Sequence, residues 1–223
     1  MICAQLDTAG FTVTIQIADG TYTTGVNIDK GWVGGGTVVF QGNSTTPANV
    51  IISTTSDHCF DIAAPLAGPL TIRDMDLRTT TSGRAISHDG DGVLRFTNLR
   101  FGACADGHML ANGLAKIITE AAYTISGSAP AHFICNEGGA IVLQGTFTVT
   151  LTGSPNFSFV FAFCTRTGKC VIGNAVTFSG AATGTKFLID TGGILYLEGA
   201  ATTKPPGNTP GTGGTTAGGG FLA

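Results

Sequence analysis

Leu70-Thr71-Ile72-Arg73-Asp74-Met75-Asp76-Leu77 is echoed by Leu94-Arg95-Phe96-Thr97-Asn98-Leu99-Arg100-Phe101, with apolar residues at matching places. The interval persists. Leu70, Leu94, Ile118 and Val142 lie 24 apart, as do Met75, Leu99, Tyr123 and Phe147, and again Leu77, Phe101, Ile125 and Val149. A further track, Phe60, Ile86, Leu110, Ile134, Phe161 and Leu188, advances by 26, 24, 24, 27 and 27. A short unit also recurs as Thr124-Ile125-Ser126-Gly127, Thr150-Leu151-Thr152-Gly153 and Thr177-Phe178-Ser179-Gly180. Self-similarity at such a period marks a repeat architecture.

Each repeat holds short stretches that alternate apolar and polar residues, bounded by Gly, Asn or Asp turns, which is the pattern of strands. A unit of this length, with two or three short strands, has too little interior to bury its own apolar side. Stacking successive units about 4.8 Å apart gives every strand a parallel neighbour and continues one apolar column from unit to unit. Residues 11–199 therefore read as an all-β, single-stranded parallel β-helix (β-solenoid) with rungs of about 24–27 residues. The Leu-x-x-Leu-x-Leu-x-x-Asn signature of leucine-rich repeats is absent, and a β-sandwich is the remaining alternative. Residues 1–10 read as a short cap or lead-in, and residues 200–223, rich in Gly, Thr and Pro, as an extended tail.

Composition supports strands over helices. The 223 residues include 34 Gly and, by count, 34 Thr, and both residue types disfavour helix. With 43% hydrophobic residues and 14 Phe, the chain has enough apolar surface for a core. A net charge of −3 and scattered Lys and Arg provide no footprint for nucleic acid. The longest apolar stretches fall short of a membrane span, and no secretory signal is visible at the start. Six cysteines, at 3, 59, 104, 135, 164 and 170, show no zinc-type spacing and read as buried free thiols.

The run Val13-Thr14-Ile15-Gln16-Ile17-Ala18-Asp19-Gly20-Thr21-Tyr22-Thr23, then Gly36-Thr37-Val38-Val39-Phe40-Gln41-Gly42-Asn43 and Thr46-Pro47-Ala48-Asn49-Val50-Ile51-Ile52-Ser53, resembles the opening coils of the pectin-lyase-like β-helix group, which implies a right-handed parallel β-helix. With the Thr-(Phe/Ile)-(Ser/Thr)-Gly unit and Pro206-Gly207-Asn208, it is more similar still to phage and prophage tail fibres and tailspikes. The resemblance implies a structural, host-surface-binding tail component, located in the virion tail. Its implied partners are bacterial surface polysaccharide and other phage tail proteins. It also implies a homotrimer, which outward apolar residues and a loose tail would favour physically. The alternative is a polysaccharide-degrading hydrolase or lyase of the tailspike type.

Candidate site residues are few. Asp74 and Asp76, two apart and expected on one side of one strand at roughly 7 Å, are the candidate catalytic pair, a spacing compatible with inverting glycoside hydrolysis. A shift of one repeat places Asn98 beside Asp74 and Arg100 beside Asp76. The plainer reading makes Asp76 and Arg100 an exposed cross-rung ion pair. Trp32 and Tyr22, together with Asn98 and Arg100, are candidate sugar-binding residues, although Trp32 better suits covering the end of the core. His88-Asp89-Gly90-Asp91-Gly92 reads as a tight turn and not a calcium loop. His58, His108 and His132 fall at similar points of their rungs without a carboxylate beside them, which favours structural stacking over a metal column. Asn112 and Asn136 read as a polar stack at a coil corner. Gly168-Lys169-Cys170 lacks the other features of a phosphate loop, no serine-hydrolase elbow is present, and no cofactor or metal is implied.

Overall fold

The computed structural model describes residues 6–199 and 203–213 and the strand Phe221–Leu222. Three strands make each coil, and every strand pairs in parallel with its counterparts one coil before and one coil after. The first sheet runs β1 (Val13–Gln16), β4 (Val38–Gln41), β7 (Leu70–Arg73), β10 (Gly92–Thr97), β13 (Ala115–Thr119), β16 (Ala140–Leu143), β19 (Lys169–Ile172), β22 (Ile194–Leu197) and β23 (Phe221–Leu222). In the second sheet lie β2 (Gly20–Tyr22), β5 (Val50–Ser56), β8 (Asp76–Ser82), β11 (Arg100–Phe101), β14 (Tyr123–Ile125), β17 (Phe147–Leu151) and β20 (Val176–Ser179). The third comprises β3 (Val26–Ile28), β6 (Phe60–Ile62), β9 (Arg84–His88), β12 (Gly107–Asn112), β15 (Ala129–Asn136), β18 (Asn156–Cys164) and β21 (Thr183–Ile189). The result is a parallel β-solenoid of about seven coils. Its one short 3-10 turn among the described residues is Pro47–Asn49. No helix among them is long and apolar enough to cross a membrane.

One alternate set of side chains in each strand points inward and forms a single core. In the first sheet the inward column is Val38, Leu70, Leu94, Ile117, Ile141, Cys170 and Leu195, all fully or almost fully buried. The expected members Ile118 and Val142 face outward and pack with Val171 in a separate small cluster. Leu94 pairs with Ile117, one position short of the repeat that points to Ile118, and an odd slip moves a side chain to the opposite face.

The third sheet repeats the lesson. Its inward column is Phe60, Ile86, Met109, Phe133, Ala162 and Phe187, while Leu110 pairs with Ser87 and faces out. Phe161, expected beside Ile134, belongs to the core, and Ile134 pairs with Phe163. In the second sheet the slips are even. Tyr123 meets Val149 instead of Phe147, and Ile125 meets Leu151 instead of Val149, so every one of these residues keeps its inward face.

Corners set how closely coils approach. At the corner from third to first sheet, Gly139, Gly168 and Gly193 sit in successive coils, each against the carbonyl of Ala111, Cys135 or Cys164 in the coil before. A Cβ at any of them would fall far inside van der Waals contact with that oxygen. Glycine is thus required for close approach there. The five described cysteines are buried free thiols, and burial pushes Cys59 and Cys104 up to about 12. Cys3 lies outside the described residues.

Both ends are tied more closely to the solenoid than the composition suggests. Pairing begins before residue 11, with Asp7 bridging Val33 and Thr8 buried. Of the expected cap or lead-in at residues 1–10, residues 1–5 lie outside the described residues. Residues 203–213 do not project. Thr209 and Thr212 bridge Thr185 and Leu188 of β21, Lys186 donates to the carbonyls of Thr203 and Pro205, and β23 pairs with β22. Backbone pairing on the last coil holds this segment in place.

The register makes a sharp contrast between neighbours. Met109→Ala removes a fully buried side chain and should cost about 2–4 kcal/mol, whereas Leu110→Ala, half-exposed on the outer face, should cost about 1 kcal/mol or less. Urea unfolding of the two variants measures both. Equal losses would mean that Leu110, and not Met109 alone, continues the inward column from Ile86.

Candidate functional site

Asp74 and Asp76 do not share a strand. Asp74 occupies the corner between β7 and β8 with a left-handed backbone (φ 64°), and Asn98 repeats that conformation one coil on (φ 50°). Asp74 Oδ1 accepts a hydrogen bond from Asn98 Nδ2 at 2.8 Å, so the expected partnership holds as a corner stack. Asp76 is fully buried, not exposed. Arg78 clamps it with two hydrogen bonds of 2.9 and 2.8 Å, and Arg100 Nε adds a third at 3.2 Å. The carboxylate holds the Arg78 guanidinium above its ordinary value through these bonds. Both oxygens of Asp76 are thereby engaged, which suits a cross-coil brace.

The two aromatic candidates lie at the first coils. Trp32 is 2% exposed and its Nε1 donates to the Gly36 carbonyl at 3.1 Å, so its ring closes the core instead of meeting a sugar. Tyr22 is 38% exposed. It begins the inward column continued by Ile52 and Leu77, and its hydroxyl donates to the Ala18 carbonyl at 2.9 Å.

Of the three histidines, His58 stands apart, accepting the Arg84 N–H at its Nδ1. His108 and His132 are fully buried and touch through their Nδ1 atoms at 2.8 Å. Proton positions follow from the partners. His108 Nε2 lies 2.8 Å from the Gly102 carbonyl, which can only accept, so that nitrogen carries the hydrogen and Nδ1 is bare. His132 Nδ1–H must then donate to it, and His132 Nε2 accepts the Tyr123 hydroxyl at 3.0 Å. The chain Tyr123 to His132 to His108 to Gly102 is satisfied with both rings neutral. Burial pushes His108 down to about 4, partly opposed by the Gly102 carbonyl. Burial, then the adjacent His108, holds His132 well below its ordinary value. No group of three or more metal-ligating side chains exists among the described residues.

The outward face of the third sheet holds a feature that the periodicity obscures. Leu110, Ile134, Phe163 and Leu188 stack in register over four coils, half-buried, with Phe159, 46% exposed, edge-on to Phe163 at 5.2 Å. Leu110, Ile134 and Phe163 floor a shallow groove of 470 Å³ that Arg84, Asn136 and Asp190 also line. Along its wall runs a polar column. Asp89 Oδ1 accepts from Asn112 Nδ2, and Asn112 Oδ1 accepts from Asn136 Nδ2, both at 2.9 Å. The expected Asn stack is therefore present, and the carboxylate at its head orients every amide in it.

The column then breaks. The in-register Cys135–Cys164 and Cys164–Ile189 pairs place Thr165 after Asn136 and Asp190 after Thr165, and the threonine side chain makes no bond to Asn136. Asn136 Oδ1 and Asp190 Oδ1 are left buried without a donor, and Arg84 Nε is left without an acceptor. Buried unpaired polar atoms are uncommon and call for a partner. The sequence signal for this groove is the polar step Asn112, Asn136, Thr165, Asp190 beside the three large apolar residues Leu110, Ile134 and Phe163, visible once the register is known.

Two outcomes follow from this geometry. Asp76→Ala should destabilise the fold by about 1–3 kcal/mol in denaturant titration, less than for a fully buried pair because both arginines can turn to water. A wild-type stability would remove Asp76 from its bracing role. The buried histidines bind protons unfolded, near 6.5, more readily than folded. Their stability contribution is present above about pH 6.5 and is lost as pH falls toward 4, at about 1.4 kcal/mol per unit for each histidine. His132→Phe should flatten that decline, and an unchanged slope would contradict it.

Compared with known proteins, the chain matches no family model, no curated protein and no solved structure.

Proposed function

We propose that the protein is a structural, host-surface-binding component of a phage or prophage tail, a fibre or spike that contacts bacterial surface polysaccharide as a homotrimer. The observation that carries this reading is the outward groove of the third sheet, an apolar floor beside unpaired hydrogen-bonding groups on a stiff rod of about seven coils. Sugar rings present apolar CH faces and hydroxyl rims, which such a surface complements. The opening coils and the Thr-x-(Ser/Thr)-Gly units, with their likeness to tail proteins, supply the tail assignment. Outward Phe159 and Leu188, outside the groove, supply apolar area for association between copies.

A depolymerase is the weaker reading. Asp76 is spent on two guanidiniums and Asp74 sits in a corner bonded to Asn98, so the pair lacks the free, opposed carboxyls that glycoside cleavage uses.

Incubation with host capsular polysaccharide and lipopolysaccharide should give retention of the glycan without new reducing ends or unsaturated uronates. Cleavage that disappears in Asp74→Asn or Asp76→Asn would replace binding with catalysis. Sedimentation should give three times the 22.6 kDa mass of one chain, and a 22.6 kDa species at micromolar concentration would end the trimer proposal.

A further inference from the structure

The outward face of the first sheet holds a second groove, and the inference drawn from it rests on the polysaccharide-contact reading above. In-register pairing puts Lys116, Ala140 and Lys169 in one outward column. The small Ala140 leaves a gap between two exposed lysines that stand two coils, about 10 Å, apart along the axis. The adjoining column is Val142, Val171 and Tyr196, and these residues line a groove of 360 Å³ together with both lysines. Tyr196 is 39% exposed, and the Lys169 ammonium lies 5.9 Å from the centre of its ring. That cation–π contact holds Lys169 at the groove.

Charge on this face is unbalanced. Among the described residues neither Lys116 nor Lys169 has a carboxylate within ion-pair distance. The nearby acids are committed elsewhere. Glu120 pairs with Arg95 at 3.5 Å. Glu198, which also lines the groove, interacts with Lys204: burial pushes the Lys204 ammonium down and the Glu198 carboxylate opposes that shift. The groove therefore carries two uncompensated positive charges on a chain whose net charge is −3. An anion drawn there is drawn by this face and not by the molecule as a whole.

Geometry narrows the class of ligand. The groove lies on the face of a nine-stranded sheet, whose backbone groups are spent on neighbouring coils and offer nothing to an extended peptide. Recognition must come from side chains, namely two point charges in line with the axis and an apolar floor beside them. A chain of pyranose rings suits both, with CH faces over Val142, Val171 and Tyr196 and an anionic group on every second sugar, a span comparable to the lysine spacing. Lysine takes carboxylate and phosphate alike as a point charge, so the shared requirement is the anion. We infer that this face binds an acidic polysaccharide, laid along the solenoid axis with successive anionic groups at Lys116 and Lys169.

The test is titration calorimetry of the full chain with a hyaluronan octasaccharide, its carboxyl-reduced counterpart and a poly(glycerol phosphate) of similar length. Each is repeated with Lys116→Gln, Lys169→Gln, the double variant, and Lys30→Gln, which changes the net charge equally at an exposed lysine of the first coils. Circular dichroism melting is the fold control. At least one anionic probe should bind, more weakly as salt rises, and at least tenfold more tightly than the carboxyl-reduced chain. Each single variant should lose about three- to fivefold and the double variant more than tenfold, at unchanged melting temperature, with Lys30→Gln as wild type. Binding of the octasaccharide alone, or of the phosphate polymer alone, supports the inference and identifies its anion. Anionic binding that the double variant retains would overturn the site, as would an equal loss in Lys30→Gln, and equal affinity for the uncharged chain would overturn the chemistry. No binding of these probes, with capture of host polysaccharide preserved, would overturn this inference alone; no binding of any glycan would overturn the functional reading as well. If the double variant instead converts an oligomer to a monomer and no probe binds, the face is an interface between copies and the inference falls.

Discussion

Stacking coil on coil at the spacing of a parallel ladder is the constraint from which the other features descend. Each residue has a neighbour of the same strand position about 4.8 Å above and below, so a column tolerates what its members can do to one another. Apolar columns become core, amide columns become hydrogen-bonded ladders, and a column that meets backbone must be glycine, as at Gly139, Gly168 and Gly193. The corner geometry of Asp74 and Asn98 and the brace of Asp76 by Arg78 and Arg100 are further cases of the same rule.

Polar groups inside such a rod survive where the stack satisfies them completely. His108 and His132 sit among Phe101, Phe157 and Phe161, yet each nitrogen has a partner, with Tyr123 at one end and the Gly102 carbonyl at the other. The carbonyl fixes every proton in the sequence of bonds. On the outer face the contrasting case appears. The amide ladder begun by Asp89 is fully bonded through Asn112 to Asn136 and then stops, because the Thr165 hydroxyl in the next coil makes no bond to Asn136. The same ladder logic that stabilises the interior therefore leaves the groove wall with unmet hydrogen-bonding capacity.

The architecture is legible from Leu70–Leu77 and its echo at Leu94–Phe101, because apolar spacing reports the coil directly. Which face each residue takes is legible less evenly. Even slips such as Tyr123 to Val149 preserve the face and do no harm to a reading made at fixed interval. Odd slips reverse it, so a fixed interval turns Ile118 and Leu110 inward while Ile117 and Met109 fill the core. Nothing in composition distinguishes adjacent Ile117 and Ile118. The groove stays hidden for that reason, since its floor residues Leu110 and Ile134 fall on the same track as core residues. Asp74 and Asp76 are legible as neighbours of Asn98 and Arg100, but the left-handed corner that separates them from a common strand is not. Trp32 is legible as an end cover.

The folded-back segment has a consequence for what can be added to this rod. Against the last coil, the chain lays down residues 203–213, which include Pro205, Pro206, Pro210 and several glycines. Proline has no N–H to offer, and a strand interrupted by it presents a poor template on its outer edge. The third sheet therefore ends on a surface that discourages a further strand from docking, so rods meeting end to end at this face would find little backbone to continue. The edge of the third sheet carries this direction itself: growth by strand addition is discouraged there by the protein's own sequence.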